Sequence, residues 1–352
     1  MSSAFALYRL PYANRYVKVE GSTQEIPSCA LLNGCSGFVI APFQVKQDQP
    51  IVMIAPEQVE ELELSVQSGT SGISGKSGIS VQSGTSGSYF NYHIDFSSFH
   101  AQLCQGTFRK IVLARCADEV VSSAEEPETL FLRACQLYPR MFIALVYTPQ
   151  SGMWLTATPE ILLDGDGSRW RTIALAGTMK LEGDQLQGEG ETLCWSTKNI
   201  EEQRIVATYI AECLERFTDD FVEEGPRTVR AANLVHLRSD FTFSLPDNHH
   251  LGDLLMALHP TPAVCGLPKR EAFDFIVRNE HTPRRYYSGF MGPLNMNDAT
   301  HLYVSLRCMN IDGETYHLYA GGGLLKDSVE EQEWLETEAK MQTMRELLVH
   351  SS

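Results

Sequence analysis

Apolar residues in this chain recur at two spacings, and each spacing predicts a different kind of element. Short apolar runs such as Gly37–Ala41 and Ile51–Ile54, punctuated by proline and glycine, predict strands within about the first 60 residues. Beyond about residue 90 the pattern becomes dense. Strands are predicted over 108–117, 141–147, 171–175, 301–308 and 316–320, and helices over 128–138, 198–217 and 328–348. In the middle helix Val206, Ala207, Ile210, Leu214 and Phe217 follow three- and four-residue steps. Ser328 with Glu331 reads as a capping box opening the last helix. Long helices mixed with strands predict an α+β protein layered around a large sheet.

One stretch breaks the pattern. Residues 65–88 are nearly all Ser and Gly, and the octet SVQSGTSG occurs there twice, at 65–72 and 80–87. Such a tract cannot bury enough apolar surface to offset its ordering entropy, so a flexible surface insertion is expected over 65–88.

Composition narrows the function classes. The chain has 352 residues, 43% hydrophobic and 20% charged, with a formal net charge of −16. That surface repels nucleic acid and anionic lipid, so neither is expected as a partner. A small anionic substrate stays possible if the basic residues gather in one cleft. Nine cysteines are scattered without a CxxC pair, which predicts reduced thiols in a cytoplasmic protein. No apolar stretch reaches bilayer-spanning length.

Candidate chemistry is carried by a few segments. In Phe108–Arg115 the two-residue alternation places Lys110, Val112 and Ala114 on one strand face. A lysine there risks desolvation, which favours a general base; a snorkelling edge lysine is the plain alternative. Thr158-Pro159-Glu160 sets a carboxyl group at the mouth of an apolar strand, where it could act as a general acid or sit as a solvated turn residue. Glu201 and Glu202 open one helix, while Glu333, Glu336 and Lys340 share a face of another. Oxygen ligands without clustered His or Cys suit a hard cation such as Mg²⁺, though ordinary helix ion pairs look the same. Ala320-Gly321-Gly322-Gly323 would let backbone N–H groups approach an anion.

Taken in order, KIVLAR (110–115), TPE (158–160), LAGT (175–178), HPTPAVCGLPK (259–269), YSG (287–289), AGGG (320–323) and EQEWLETEAK (331–340) resemble the chorismate-utilising enzymes. That family holds isochorismate, salicylate, anthranilate and aminodeoxychorismate synthases. The likeness runs from about residue 95 to about 345, within one expected domain over 1–352. It implies a large α/β sandwich of the anthranilate synthase component I type, with two antiparallel sheets flanked by helices. It also implies roles. Lys110 would activate water for attack at C2 of chorismate, where ammonia-using relatives carry glutamine. Glu160 would protonate the departing C4 hydroxyl. Glu202 and Glu336 would bind Mg²⁺, supported by Glu201 and Glu333. Arg307 and Tyr287 would hold the enolpyruvyl group, Gly321, Gly323 and Lys340 the carboxylates, and Thr178, His236 and His259 would line the pocket. Asn199 departs from the acid that relatives carry. The expectation is a monomeric isochorismate synthase without an amidotransferase subunit. Salicylate synthase and a catalytically silent chorismate-binding protein are the alternatives, and a menaquinone or siderophore destination is left open.

Overall fold

The computed structural model describes residues 4–64, 85–181, 194–231, 234–247 and 249–348. Numbered in chain order, sixteen strands among these residues join edge to edge through antiparallel ladders. The first half of the ladder runs β10 (Phe221–Ala231), β11 (Leu234–Ser244), β9 (Arg169–Lys180), β8 (Ile161–Asp166), β14 (Ala299–Val304), β13 (Phe290–Leu294) and β3 (Gly37–Ala41). The second continues through β4 (Ile51–Glu63), β2 (Arg15–Ile26), β1 (Ala4–Arg9), β6 (Phe142–Thr148), β7 (Gly152–Thr158), β15 (Cys308–Asp312), β16 (Thr315–Leu324), β5 (Lys110–Val120) and β12 (Gly266–Leu267). The two antiparallel sheets implied by the resemblance are thus halves of one sheet, joined where Phe38 of β3 pairs with Ile54 of β4.

The halves lie face to face. Phe142 on β6 stacks on Tyr303 on β14 at 4.3 Å, although five strands separate them along the ladder. Around that stack, Phe38, Trp154, Ile173 and Met291 build an apolar layer between the halves. Strand β6 shows why its sequence reads as one apolar run. Phe142, Ala144 and Val146 face this inner layer, whereas Ile143 and Leu145 face an outer one. A strand covered on both faces needs no polar alternation.

Helices cover the outside. Helices α3 (Thr197–Leu214) and α4 (Leu251–Leu258) pack over the first half, and α2 (Pro127–Leu137) and α6 (Glu330–Leu348) over the second. Helices α1 (Thr85–Cys104) and α5 (Lys269–Asn279) close over β5. No helix among the described residues is long and apolar enough to cross a membrane.

Three expectations are corrected. The last residues of the Ser/Gly tract, 85–88, form the first turn of α1; residues 65–84 lie outside the described residues. The single strand expected over 301–308 is two, because the chain passes from one half of the sandwich to the other at Ser305–Arg307. Ser328 does not cap α6: its hydroxyl accepts from the Leu325 N–H at 3.0 Å.

Candidate active site

Two crossovers between the halves build one side of a cavity. Strands β7 and β15 are neighbours in the second half, and β8 and β14 in the first, so the links β7–β8 and β14–β15 cross together. Pro159 and Glu160 form the first link, and Ser305–Arg307 the second. They are tied to each other: the Val304 N–H donates to the Glu160 carbonyl at 2.9 Å, and the Ala157 N–H to the Arg307 carbonyl at 3.1 Å. Glu160 is buried, and burial raises its carboxyl pKa to about 8, against the pull of Lys110, Lys340 and Arg307. It is therefore a neutral acid near neutral pH.

Arg307 adopts a left-handed backbone, φ +45°, which turns its side chain into the cavity wall. Its guanidinium donates to the Ala231 carbonyl at 3.1 Å and to His236 Nε2 at 2.5 Å. Burial and the neighbouring Arg307 and Lys340 charges hold His236 well below its ordinary pKa, so the ring is neutral. With Nε2 accepting, Nδ1 carries the proton and faces the Gly177 carbonyl at 3.1 Å and Thr178 Oγ1 at 3.3 Å. The LAGT segment explains this reach. Register along β9 and β11 shifts at His236, where Gly177, with φ +74°, forms a bulge that brings Thr178 opposite His236.

The opposite side is a layer of paired charges. Lys110, fully buried at the start of β5, places Nζ 3.0 Å from Glu202 Oε1 of α3. Burial alone would raise the Glu202 pKa, but Lys110, Lys198 and Lys340 outweigh it and keep it low. Lys198 pairs with Glu333, and Lys340 with Glu336 at 2.7 Å while also donating to the Gly321 carbonyl at 2.9 Å. Burial and the nearby Glu336 charge raise Glu333 despite Lys198, and Glu333 Oε2 is buried without a hydrogen-bond partner. The donors are all carboxylate oxygens, and with one such oxygen unsatisfied the set fits a hard cation. The carboxylates are splayed, each held by its own lysine. Among the described residues three ligand-type groups meet within 4.8 Å only at Cys116, Asp118 and His317, outside the cavity.

The glycine run lies inside β16, paired with β5, and does not form the anion-binding loop its composition predicts. Its value is the missing side chains. A Cβ on Gly323 would sit 2.1 Å from Glu202 Oε1 and 2.7 Å from Lys110 Cε; one on Gly321 would sit 2.8 Å from the Tyr287 hydroxyl. Gly322 faces the other way, toward Glu333 and Glu336.

Most sequence-derived candidates therefore meet in one place. The cavity is lined by Glu160, Thr178, Glu202, His236, Tyr287 and Arg307, with Gly321, Gly323 and Lys340 also on its wall. Lys110 stands just behind Glu202, while Glu333 and Glu336 sit in an adjoining cleft that shares Thr178. Two candidates lie elsewhere. Glu201 points to solvent, because its neighbour Glu202 takes the inward face of α3 and the next residue is about 100° round the helix. His259 caps the C-terminus of α4, which turns its ring edge-on against Phe290 in the core, outside the cavity. Burial and the Lys269 charge lower its pKa to about 3. From the same segment Ala263 and Val264 reach the wall instead.

Sequence reasoning missed three contributors. Tyr319 stacks on Tyr287 at 5.6 Å, and its place in a predicted strand opposite YSG was the available signal. Lys198 pairs with Glu333 across elements, which no local spacing reveals. The buried pair Glu280–Arg284 supports β5: Glu280 accepts from the Ala114 N–H at 2.7 Å, and Arg284 donates to the Val112 and Val264 carbonyls.

Comparison with known proteins identifies the family. Residues 26–349 match the family model described as chorismate binding enzyme. The isochorismate synthase EntC of Escherichia coli is 30% identical over 238 residues, 67% of this chain and 61% of that protein. The isochorismate synthase MenF of the same species is 32% identical over 251 residues, 70% of this chain and 57% of its own length. The chain thus spans about three fifths of the curated relatives it matches. Among solved structures, a putative 2,3-dihydroxybenzoate-specific isochorismate synthase from Bacillus anthracis superposes with a TM-score of 0.84 at 24% identity, covering 98% of this chain and 96% of that one. Anthranilate synthase component I from Streptococcus pneumoniae superposes at 0.71 with 16% identity, covering 97% and 92%. Through its matched family model and the spread of that match over nearly its whole length, the chain belongs to the chorismate-binding enzymes.

Proposed function

We propose that this protein is an isochorismate synthase, converting chorismate to isochorismate by addition of water at C2 and departure of the C4 hydroxyl. The observation that carries the reading is that two buried carboxyl groups line one cavity in opposite surroundings, Glu202 paired with Lys110 at 3.0 Å and Glu160 with no ion-pair partner among the described residues. Glu160 is neutral at the crossover side, and Glu202 is ionised beside Lys110 on the other. Addition on one face of a ring and departure from the other needs an acid and a base in complementary states. The Glu160 hydroxyl supplies the proton for the leaving oxygen. Lys110, 3.0 Å from Glu202, would serve as the base for the attacking water, for which its own proton must first leave to solvent so that the neutral amine can accept one. A glutamine at position 110 could not serve as that base, which disfavours an aminating synthase.

Mg²⁺ held by Glu202 and Glu336, with Glu333 in support, would neutralise the substrate's ring carboxylate and fix its orientation. Arg307, locked by His236 and the Ala231 carbonyl, supplies a fixed cation for the second carboxylate. Tyr287, stacked on Tyr319, offers its hydroxyl beside Gly321. The names of the relatives, isochorismate synthases, two of the solved ones called menaquinone-specific and 2,3-dihydroxybenzoate-specific, support the same activity.

The test is product analysis by chromatography and mass spectrometry. Purified protein is incubated with chorismate and Mg²⁺, with and without chelator, and with an ammonium salt in parallel. An isomer of unchanged mass, formed only without chelator, is the expected result. Salicylate with pyruvate, an aminated product or no turnover each contradicts the assignment.

A further inference from the structure

Farther along β5 than Lys110, its ladder with β16 gathers a sulfur, a ring nitrogen and a carboxylate. Cys116 and Asp118 stand two residues apart on β5 and so project from one face. His317 of β16 is the cross-strand partner of Asp118. The three ligand-type groups lie within 4.8 Å of one another. They converge on a single atom: Asp118 Oδ1 is 2.6 Å from His317 Nδ1 and 3.7 Å from Cys116 Sγ. A His–Asp pair at the surface is by itself ordinary. The thiol beside it is not. Burial and the Asp118 charge push it up to about 12, so it holds its proton against a carboxylate. The exposed Cys104, 3.8 Å from His100, has no such carboxylate in reach among the described residues.

We propose that Cys116, Asp118 and His317 bind one divalent transition-metal ion of the zinc class. Thiolate, imidazole and carboxylate together suit a borderline-soft cation, unlike the all-oxygen set at Glu202 and Glu336. Tetrahedral zinc, with bonds of about 2.0–2.3 Å, needs about 3.5 Å between sulfur and oxygen and about 3.3 Å between nitrogen and oxygen. The sulfur is nearly at that spacing, and turning the exposed Asp118 side chain opens the other. On binding, the Cys116 thiol proton leaves to solvent, and His317 ligates through Nδ1 with its proton on Nε2. The cation replaces the hydrogens that Cys116 and His317 direct at Asp118 Oδ1, and water completes the fourth position on the exposed side. The ion would clip β5 to β16 beside Tyr319, the cross-strand partner of Cys116 and part of the catalytic wall. The site stands whether or not the chorismate reading holds.

Cobalt uptake tests it. Protein stripped with chelator is returned to saturating Mg²⁺ and titrated with Co²⁺, read by absorbance and by metal analysis after dialysis. One equivalent of Co²⁺ is expected, with a thiolate-to-cobalt charge-transfer band in the near ultraviolet. Zn²⁺ should abolish that band by displacing Co²⁺. Cys116→Ser should lose the band, and Asp118→Asn and His317→Gln should each weaken uptake by about tenfold or more. Cys104→Ser should bind as the wild type does. His317 is near the surface, so its variant tests the site even if Cys116→Ser fails to fold. A wild type without the band overturns the proposal. So does a band that survives Cys116→Ser or vanishes in Cys104→Ser, or an uptake unchanged in His317→Gln.

Discussion

Glu160 and Glu202 line the same cavity, and both are buried, yet they are held in opposite states. Burial raises both. At Glu202 it is outweighed by Lys110 at 3.0 Å with Lys198 and Lys340 nearby, and the group stays ionised. At Glu160 the cations are Lys110, Lys340 and Arg307, none of them close enough to form an ion pair with it, and the pKa settles at about 8. The difference comes from backbone placement. Glu202 projects from a helix into a layer of lysines, whereas Glu160 sits in a two-residue crossover, its carbonyl accepting from Val304 of β14 and its N–H donating to Thr158 Oγ1. Two carboxyl groups with environments that push their pKa values apart define an acid side and a base side.

The strongest way to break this contrast is to remove either end. Glu160→Gln and Lys110→Ala should each lower turnover by about 10²- to 10⁴-fold. Chorismate binding, measured by titration calorimetry, should change far less. Turnover near the wild-type level in either variant contradicts that residue's role. Next in size is a structural control. Arg284→Met strands the buried Glu280 carboxylate and frees the edge of β5, so stability should fall by about 3–5 kcal/mol in urea unfolding. Glu160→Gln should leave stability nearly unchanged by comparison.

Gly323→Ala attacks the base side by geometry alone. Its Cβ would meet Glu202 and Lys110, so kcat/KM should fall by about 10²-fold while the fold is retained by circular dichroism. The pH profile sharpens the acid side. Glu160 donates only while protonated, so the alkaline limb of kcat/KM should fall as pH rises through about 8, and that limb should be lost in Glu160→Gln. A smaller effect is expected from Asn199→Asp. Asn199 lines the cleft that holds Glu333 and Glu336, and a carboxylate there should tighten Mg²⁺ activation severalfold, read from initial rates against Mg²⁺ concentration.

Much of this was legible in the sequence because motif order carries more than any single motif. Lys110, Glu160, Glu202 and Glu336 each had a plain structural reading, yet the structure brings Glu160 and Glu202 to one cavity, Glu336 to its adjoining cleft and Lys110 against Glu202. Local patterns failed where tertiary context decides. Residues 301–308 read as one strand because apolar alternation reports burial and not which half of a sandwich a strand belongs to. Glu201 and Glu202 are indistinguishable in composition, and only the placement of α3 separates solvent from cavity. His259 was assigned to the wall from a motif whose smaller members, Ala263 and Val264, reach it. The glycines suggest a close approach to an anion because glycine is rare within strands; here the ladder tolerates them so that Glu202, Lys110 and Tyr287 have room.

The central claim, a neutral Glu160 facing an ionised Glu202, can be measured directly by infrared difference titration of the carboxyl stretching region. Spectra of the wild type are compared with those of Glu160→Gln and Glu202→Gln. The account predicts a protonated-carboxyl band at pH 7 that titrates through about 8, vanishes in Glu160→Gln and survives in Glu202→Gln. A band that is absent at pH 7, or that disappears with Glu202 instead, would contradict it.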